Sequence, residues 1–300
     1  MGAIAITAGC WRASGDSNMI LVFGRSGQVG HELAKLDGVL ALNRAEADLS
    51  DPEACAKQIL NHRPTAVINA AAYTAVDNAE TEEDLATLIN SHAPVSMANA
   101  CRDLSIPFVH ISTDYVFDGS GHVPHAPDAP TNPVNAYGRS KQVGEDRITR
   151  SGAAYAILRT SWVVSAHGSN FVKSMLRASQ DRSALSVVDD QIGGPTPAAY
   201  IAKACIKIAQ DLSIDPSKQG IYHLSGQPDV SWFEFAKTIL DYSGREIELT
   251  AIQTSEYPTP AKRPANSRLD CASTKLTFDI DRPIWKNDLK EILQDLGEIQ

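Results

Sequence analysis

Aromatic residues make up only 6% of this 300-residue chain, and cysteine is scarcer still at five positions, Cys10, Cys55, Cys101, Cys205 and Cys271. The cysteines are odd in number and scattered, and no CxxC pair occurs. That excludes a disulfide framework and reads as reduced thiols in a cytosolic chain. No His/Cys/carboxylate cluster has metal-ligand spacing, so no metal is expected. Basic residues are outnumbered, with 27 Lys and Arg against 36 Asp and Glu and a net charge of −9. A general basic surface for nucleic acid is thereby excluded, although a few local groups can still bind an anion. No apolar run approaches the length of a membrane span, and short repeats and low-complexity tracts are lacking. What remains is 43% hydrophobic and 21% charged, enough for a sizeable core in one large α/β domain or two unequal ones. Residues 1–18 are mildly apolar, then polar, without a charged leader region. They are expected to be an extension before a functional start at Met19.

The chain is organised around Met19–Gly30, MILVFGRSGQVG. The apolar run Ile20–Phe23 stops at Gly24, and Gly27 and Gly30 follow at intervals of three. A helix over 31–36 comes next. Strand, glycine turn and helix open a dinucleotide-binding unit, in which the backbone turns tightly and helix N–H groups face a pyrophosphate. The spacing is GxxGxxG, a weak signal without its flanking strand and helix. Further strands are predicted at 38–43, 65–72, 106–112 and 155–160. Helices are predicted from Asp51-Pro52 to Asn61, from Thr81 to Leu104 with a break at Pro94, and over 137–150. This alternation implies an α/β fold, a doubly wound parallel sheet of Rossmann type over 19–160. After Thr160 the rhythm changes, with helices at 170–179, 198–212, 231–243 and 285–295. This part, 161–300, is expected to form a smaller substrate-binding lid, with returns to the main sheet near 183–190 and 198–224.

The chemistry lies in Tyr137-Gly-Arg-Ser-Lys141. Tyr and Lys at i and i+4 share a helix face. A protonated Lys beside a phenol favours the phenolate and lowers its pKa from about 10. Such a phenol can exchange a proton with a carbonyl oxygen near neutral pH. Ser112-Thr113-Asp114 ends the fourth strand, at the carboxyl edge where open α/β sheets bind ligands, and the Thr113 hydroxyl can hold the same carbonyl.

With these parts the sequence resembles the extended short-chain dehydrogenase/reductase family, and within it the dTDP-4-dehydrorhamnose reductase branch. The carrying stretches are FGRSGQVG (23–30), NAAAYTAVDNAE (69–80), STDYVFDG (112–119), NAYGRSK (135–141), RTSWVV (159–164), DDQIGGPT (189–196) and YPTPAKRPANSRL (257–269). The resemblance implies that Gly27, Gln28 and Val29, within the turn framed by Gly24 and Gly30, bind the cofactor pyrophosphate. Asn43 would lie by the adenosine ribose and Asp48-Leu49 by adenine. Ala72, Tyr73 and Thr74 would line the cofactor cleft, with Ile111 under the nicotinamide. Thr113 and Asp114 would touch the sugar, Tyr137 would donate the proton, and Lys141 would hold the nicotinamide ribose and tune Tyr137. Trp162 and Asn170 would meet the substrate. The implied reaction is hydride transfer from NADPH or NADH to C4 of a 4-keto-6-deoxy sugar nucleotide, giving dTDP-L-rhamnose. A small nucleotide sugar would be the partner of a cytoplasmic monomer or homodimer.

Two departures bear on this. The second strand ends in Asn43-Arg44 and not in an acid, so the 2′-phosphate of NADPH is accepted. Glu32 could match one ligand of the metal-bridged dimers of this branch, but the helix after Thr196 reads Pro-Ala-Ala-Tyr and lacks the other acid. A 4,6-dehydratase would carry Asp-Glu after the Thr, where this chain has Asp114-Tyr115. A non-catalytic NADP-binding regulatory subunit, like that of methionine adenosyltransferase, is the competing reading from another class. The intact Thr113, Tyr137 and Lys141 favour an enzyme.

Overall fold

The computed structural model describes residues 19–300, so the expectation for residues 1–18, and with it Cys10, lies outside the described residues. Ile20–Phe23 (β1) enters the glycine turn and Gln28–Leu33 (α1) leaves it. The chain then runs through Val39–Leu42 (β2), Pro52–His62 (α2), Ala66–Asn69 (β3), Val76–Ala79 (α3), Glu83–Thr87 (α4), Ala93–Leu104 (α5), Phe108–Thr113 (β4), Ala136–Thr149 (α6) and Tyr155–Thr160 (β5). Its second part comprises Val163–Val164 (β6), Phe171–Asp181 (α7), Ala184–Val188 (β7), Ile192–Gly193 (β8), Thr196–Pro197 (β9), Ala198–Ile214 (α8), Gly220–Leu224 (β10), Val230–Ser231 (β11), Trp232–Tyr242 (α9), Glu248–Ile252 (β12), Asn266–Ser267 (β13), Ala272–Phe278 (α10) and Trp285–Asp295 (α11).

Local chemistry sets several boundaries. Asp51 caps α2, its carboxylate accepting from the Ala54 N–H at 3.0 Å, and Pro52 starts the helix. Helix α1 starts earlier than 31–36, because Gly27 serves as its cap residue and Gln28 enters the helix directly. Pro94 does not break the helical stretch as expected. Leu88–His92 forms a π turn that runs straight into α5, and Pro94 lies in the first turn of α5. The wider turn accommodates the missing proline N–H.

Six strands form one parallel sheet in the order β2-β1-β3-β4-β5-β10. The chain goes from β1 out to the edge at β2 and then crosses to β3 on the other side. The order therefore reverses between β1 and β3, which opens a crevice at their carboxyl ends. Alternate side chains feed two cores. Val22 and Ile68 face Ile201, Cys205 and Ile208 of α8, while Leu21, Phe23 and Val67 face Ile59 of α2 and Met97 of α5. Fully burying each such aliphatic side chain contributes about 1.5–3 kcal/mol.

The expected return near 183–190 does not occur. Strand β7 follows α7, which packs on α9, and pairs instead with β12 in a separate two-stranded parallel sheet. Helix α8 does cover the main sheet, and β10 extends it beside β5. A third core of Phe235, Ile239, Trp285, Leu289 and Leu293 holds α9 and α11 together over the carboxyl edge. The four described cysteines are free and buried, and burial pushes the Cys55 and Cys205 thiols up to about 12. Among the described residues no helix is long and apolar enough to cross a membrane.

Candidate active site

The reversal of strand order opens into a cleft of about 1130 Å³. Its floor is the glycine turn. Gly24 has φ +101°, and a Cβ there would lie 2.8 Å from the Ala71 nitrogen. At Gly30 a Cβ would lie 1.9 Å from the Gly24 carbonyl oxygen, so only glycine lets α1 pack on the turn. No side chain caps α1, which leaves its first N–H groups to the cleft.

Along the walls lie Gly24, Gly27, Gln28, Val29, Arg44, Asp48, Leu49, Ala72, Thr74, Ile111, Thr113, Asp114, Tyr137, Lys141, Trp162 and Asn170. Gly30, Asn43 and Tyr73, also predicted as cofactor contacts, do not line it. Gly30 is packed beneath the turn. Asn43 is spent on its own loop, where its side-chain oxygen accepts from the Ala45 N–H at 2.8 Å. Tyr73 turns its hydroxyl away to donate to Glu82 at 2.7 Å, and its backbone is clamped by Asn90. Asn170 borders the cleft, but its polar atoms are committed within the protein. Its amide donates to Gln28 at 2.9 Å and to the Ser165 carbonyl at 2.7 Å, and its oxygen caps α7 through the Lys173 N–H at 3.2 Å. Asn170 therefore braces the glycine turn against α7 while bordering the cleft.

Thr113 closes β4 and Tyr137 lies in the first turn of α6, where Asn135 caps the helix by accepting from the Gly138 N–H at 2.8 Å. Asn90 sets the height of α6, donating to Ser140 Oγ at 2.9 Å, and Ser140 in turn donates to the Tyr137 carbonyl at 2.7 Å. Burial pushes the Tyr137 phenol up, against a smaller pull from the Thr113 hydroxyl, and the neighbouring Asp114 pushes the same way as burial. The expected lowering by Lys141 is not what this arrangement produces. Lys141 is buried and points its amine at His110, 2.9 Å away, and at the Ile111 carbonyl, 2.8 Å away. Burial pulls it down to about 8. A phenol raised in this way is protonated at neutral pH and so has a proton to give, although a pKa nearer the working pH makes the stronger acid.

Asp114 is buried, and burial pushes its carboxyl up to about 7 against hydrogen bonds from Ser267 and Thr113. Ser112 Oγ, Asp114 Oδ2 and Thr160 Oγ1 are buried on the cleft wall without a hydrogen-bond partner. Unpaired buried oxygens of this kind are costly unless a ligand meets them. The cleft volume, the open helix start and these three oxygens fit a bound dinucleotide with a polar co-substrate.

Sequence reasoning missed several wall residues. Trp232 stacks on Trp162 with centroids 3.5 Å apart, and Phe171 lies against Trp232 at 4.5 Å. Nothing in the local sequence brings residues 162 and 232 together. Asp77 pairs with Arg263 at 2.9 Å and accepts from the Ala261 N–H at 3.1 Å, tying 258–268 to the cleft mouth. Arg263 is thus neutralised within the protein. Tyr115, in the STDYVF stretch, packs edge-on against Tyr137 at 5.6 Å.

A dinucleotide cleft at the sheet's reversal, walled by a Thr, a buried Lys and a protonated Tyr, defines a Rossmann-type oxidoreductase of the extended short-chain kind. Residues 18–298 match the model of the RmlD substrate binding domain, and the chain belongs to that family. It is 40% identical to a dTDP-4-dehydrorhamnose reductase of Sinorhizobium fredii, an alignment covering 91% of this chain and 96% of that protein. Among solved structures, a dTDP-4-dehydrorhamnose reductase of Clostridium acetobutylicum superposes with a TM-score of 0.86 at 37% identity, covering 93% and 99% of the two chains. The Bacillus anthracis reductase in complex with NADP gives 0.86 at 32% identity, over 93% of this chain and 99% of that one.

Proposed function

We propose that this chain reduces the C4 keto group of dTDP-4-dehydro-β-L-rhamnose to give dTDP-L-rhamnose, with NADPH or NADH, in the cytoplasm. One observation carries the reading: Thr113, Tyr137 and Lys141 converge on one wall of the dinucleotide cleft, in a chain whose relatives are named for this reaction. NAD(P)H supplies the hydride when bound. The protein orients and protonates. Gln28 and Val29 present backbone N–H groups to the pyrophosphate, Asp48 and Leu49 flank the adenine, and Ala72, Thr74 and Ile111 border the nicotinamide side. Lys141 holds the ribose. Trp162 and Asp114 bound the sugar, Thr113 holds O4, and Tyr137 donates its proton to O4 as negative charge develops there. Arg44, exposed and 3.1 Å from Asp48, is free to exchange that partner for a 2′-phosphate.

The test is chromatographic identification of the product made from dTDP-4-dehydro-β-L-rhamnose with each cofactor. Formation of dTDP-L-rhamnose is expected, and absence of product with both cofactors contradicts the reading. Arg44→Ala should raise the KM for NADPH about tenfold, the loss of one charge-assisted contact, and change that for NADH little.

A further inference from the structure

Four described non-glycine residues have positive φ: Arg63, Ser105, Trp162 and Asp279. Three of them end the helices α2, α5 and α10, where a left-handed residue is ordinary. Trp162, with φ +48°, ends no helix, and it alone of the four lines the cleft. For a bulky side chain this backbone costs free energy and persists only where the surroundings fix it. Those surroundings are visible on both faces of the indole. A Cβ at Gly193 would lie 2.6 Å from Trp162 Cε2, 2.9 Å from Nε1 and 3.0 Å from Cζ2. Cε2 is bonded to the other two, and a neighbour arriving in the ring plane would meet those two rim atoms first. Gly193 therefore lies against a face of the ring. Trp232 stacks on Trp162 at 3.5 Å and 10° between the planes, and that Cβ position meets Trp162 and not Trp232, so Trp232 covers the opposite face. Both jaws come from one small sheet. Gly193 of β8 stands opposite Val230 of β11, and Trp232 follows β11 as the first residue of α9. Phe171 backs Trp232 at 4.5 Å, and the Trp162 carbonyl accepts from the Thr196 N–H at 3.0 Å.

We infer that Gly193 and Trp232 form a clamp that holds the strained Trp162 indole at the sugar end of the cleft, with both as positioning residues for recognition of the sugar nucleotide. The inference rests on the proposed contact between Trp162 and the substrate. Trp232 lies outside every stretch that carries the family resemblance, so only the fold brings it to this task. The clamp explains how a costly backbone is kept at the cleft. Gly193 leaves room for the ring where any other residue would push it off, and Trp232 closes over it from the far side. With Trp232 gone, the backbone of Trp162 is free to relax to an ordinary conformation and the indole leaves the wall. The glycine turn and α6 carry the cofactor and the acid, so the loss falls on the sugar nucleotide.

The experiment joins circular dichroism of the full, ligand-free chain with steady-state kinetics. Two parallel indoles in contact couple their excited states and give a paired positive and negative band in the far ultraviolet. The native chain should show this couplet. Trp162→Phe and Trp232→Phe should each abolish it, and Trp285→Phe should leave it. Trp232→Leu removes the aromatic face and should raise the KM for dTDP-4-dehydro-β-L-rhamnose about tenfold, the loss of one stacked aromatic pair, while kcat and the dissociation constant for NADPH stay within about twofold. Trp232→Phe keeps an aromatic face and should hold KM within about threefold of the native value. Gly193→Ala should act like Trp232→Leu and also abolish the couplet, because its Cβ displaces the indole. A native chain without the couplet overturns the clamp. So does a Trp232→Leu protein with the native KM, or one whose kcat and NADPH affinity fall in step with the rise in KM, the pattern of general damage. Should Gly193→Ala not fold, the couplet and the Trp232 series decide. Failure of the clamp with dTDP-L-rhamnose still formed leaves the proposed function intact, whereas a native chain that forms no dTDP-L-rhamnose overturns the proposed function and the clamp's role with it.

Discussion

Asp114 is the residue where burial and charge conflict most directly. Its folded-state pKa is raised to about 7 by burial, far above the value of 3.8 usual for the exposed group. The folded state therefore binds the proton more tightly than the unfolded chain. Its stability is greatest below the unfolded pKa and is lost as pH rises from about 4 to about 7. Asp114→Asn removes that loss. Thermal unfolding should show the variant stabilised relative to the native chain by more at pH 8 than at pH 5, by on the order of a few kcal/mol. Equal effects at the two pH values would show that Asp114 is not held protonated. The identity of this acid was legible in STDYVF, but its protonation was not, because burial raises it against an opposing hydrogen bond from Ser267, more than 150 residues away in sequence.

Among the elements, the glycine turn and α7 are joined through one contact set. Asn170 caps α7 and donates to Gln28, and Ser165 donates to the same Gln28 oxygen at 3.1 Å. Asn170→Ala should cost about 1–2 kcal/mol in urea unfolding, the size of a lost helix cap. A loss much below 0.5 kcal/mol would mean that the brace contributes little. The elements that sequence reading located best are those with local punctuation. Asp51-Pro52 starts α2 and Asn135 starts α6, each by a side-chain cap. Among those it missed, β8, β11 and β13 are two residues each and exist only because distant segments meet. The partner of β7 was misjudged for the same reason, since a short strand with alternating burial does not declare which sheet it joins.

For the whole molecule, the alternation of strands and helices was enough to foresee the parallel sheet, and the glycine turn marked the crevice. Its motif residues Thr113, Tyr137 and Lys141 are brought to one wall as expected. Their electrostatics are not as expected, because an i,i+4 spacing cannot reveal that Lys141 turns inward to His110. The stacked Trp162 and Trp232, and the Arg263–Asp77 pair, lay beyond local pattern altogether. The proposed reduction uses the protonated phenol of Tyr137 as its acid. Oxidation of NADPH with dTDP-4-dehydro-β-L-rhamnose, compared between the native chain and Tyr137→Phe, tests that claim most directly. The account predicts that kcat falls by about 10²–10⁴-fold in the variant while the dissociation constant for NADPH changes little. A variant that turns over at the native rate would contradict it.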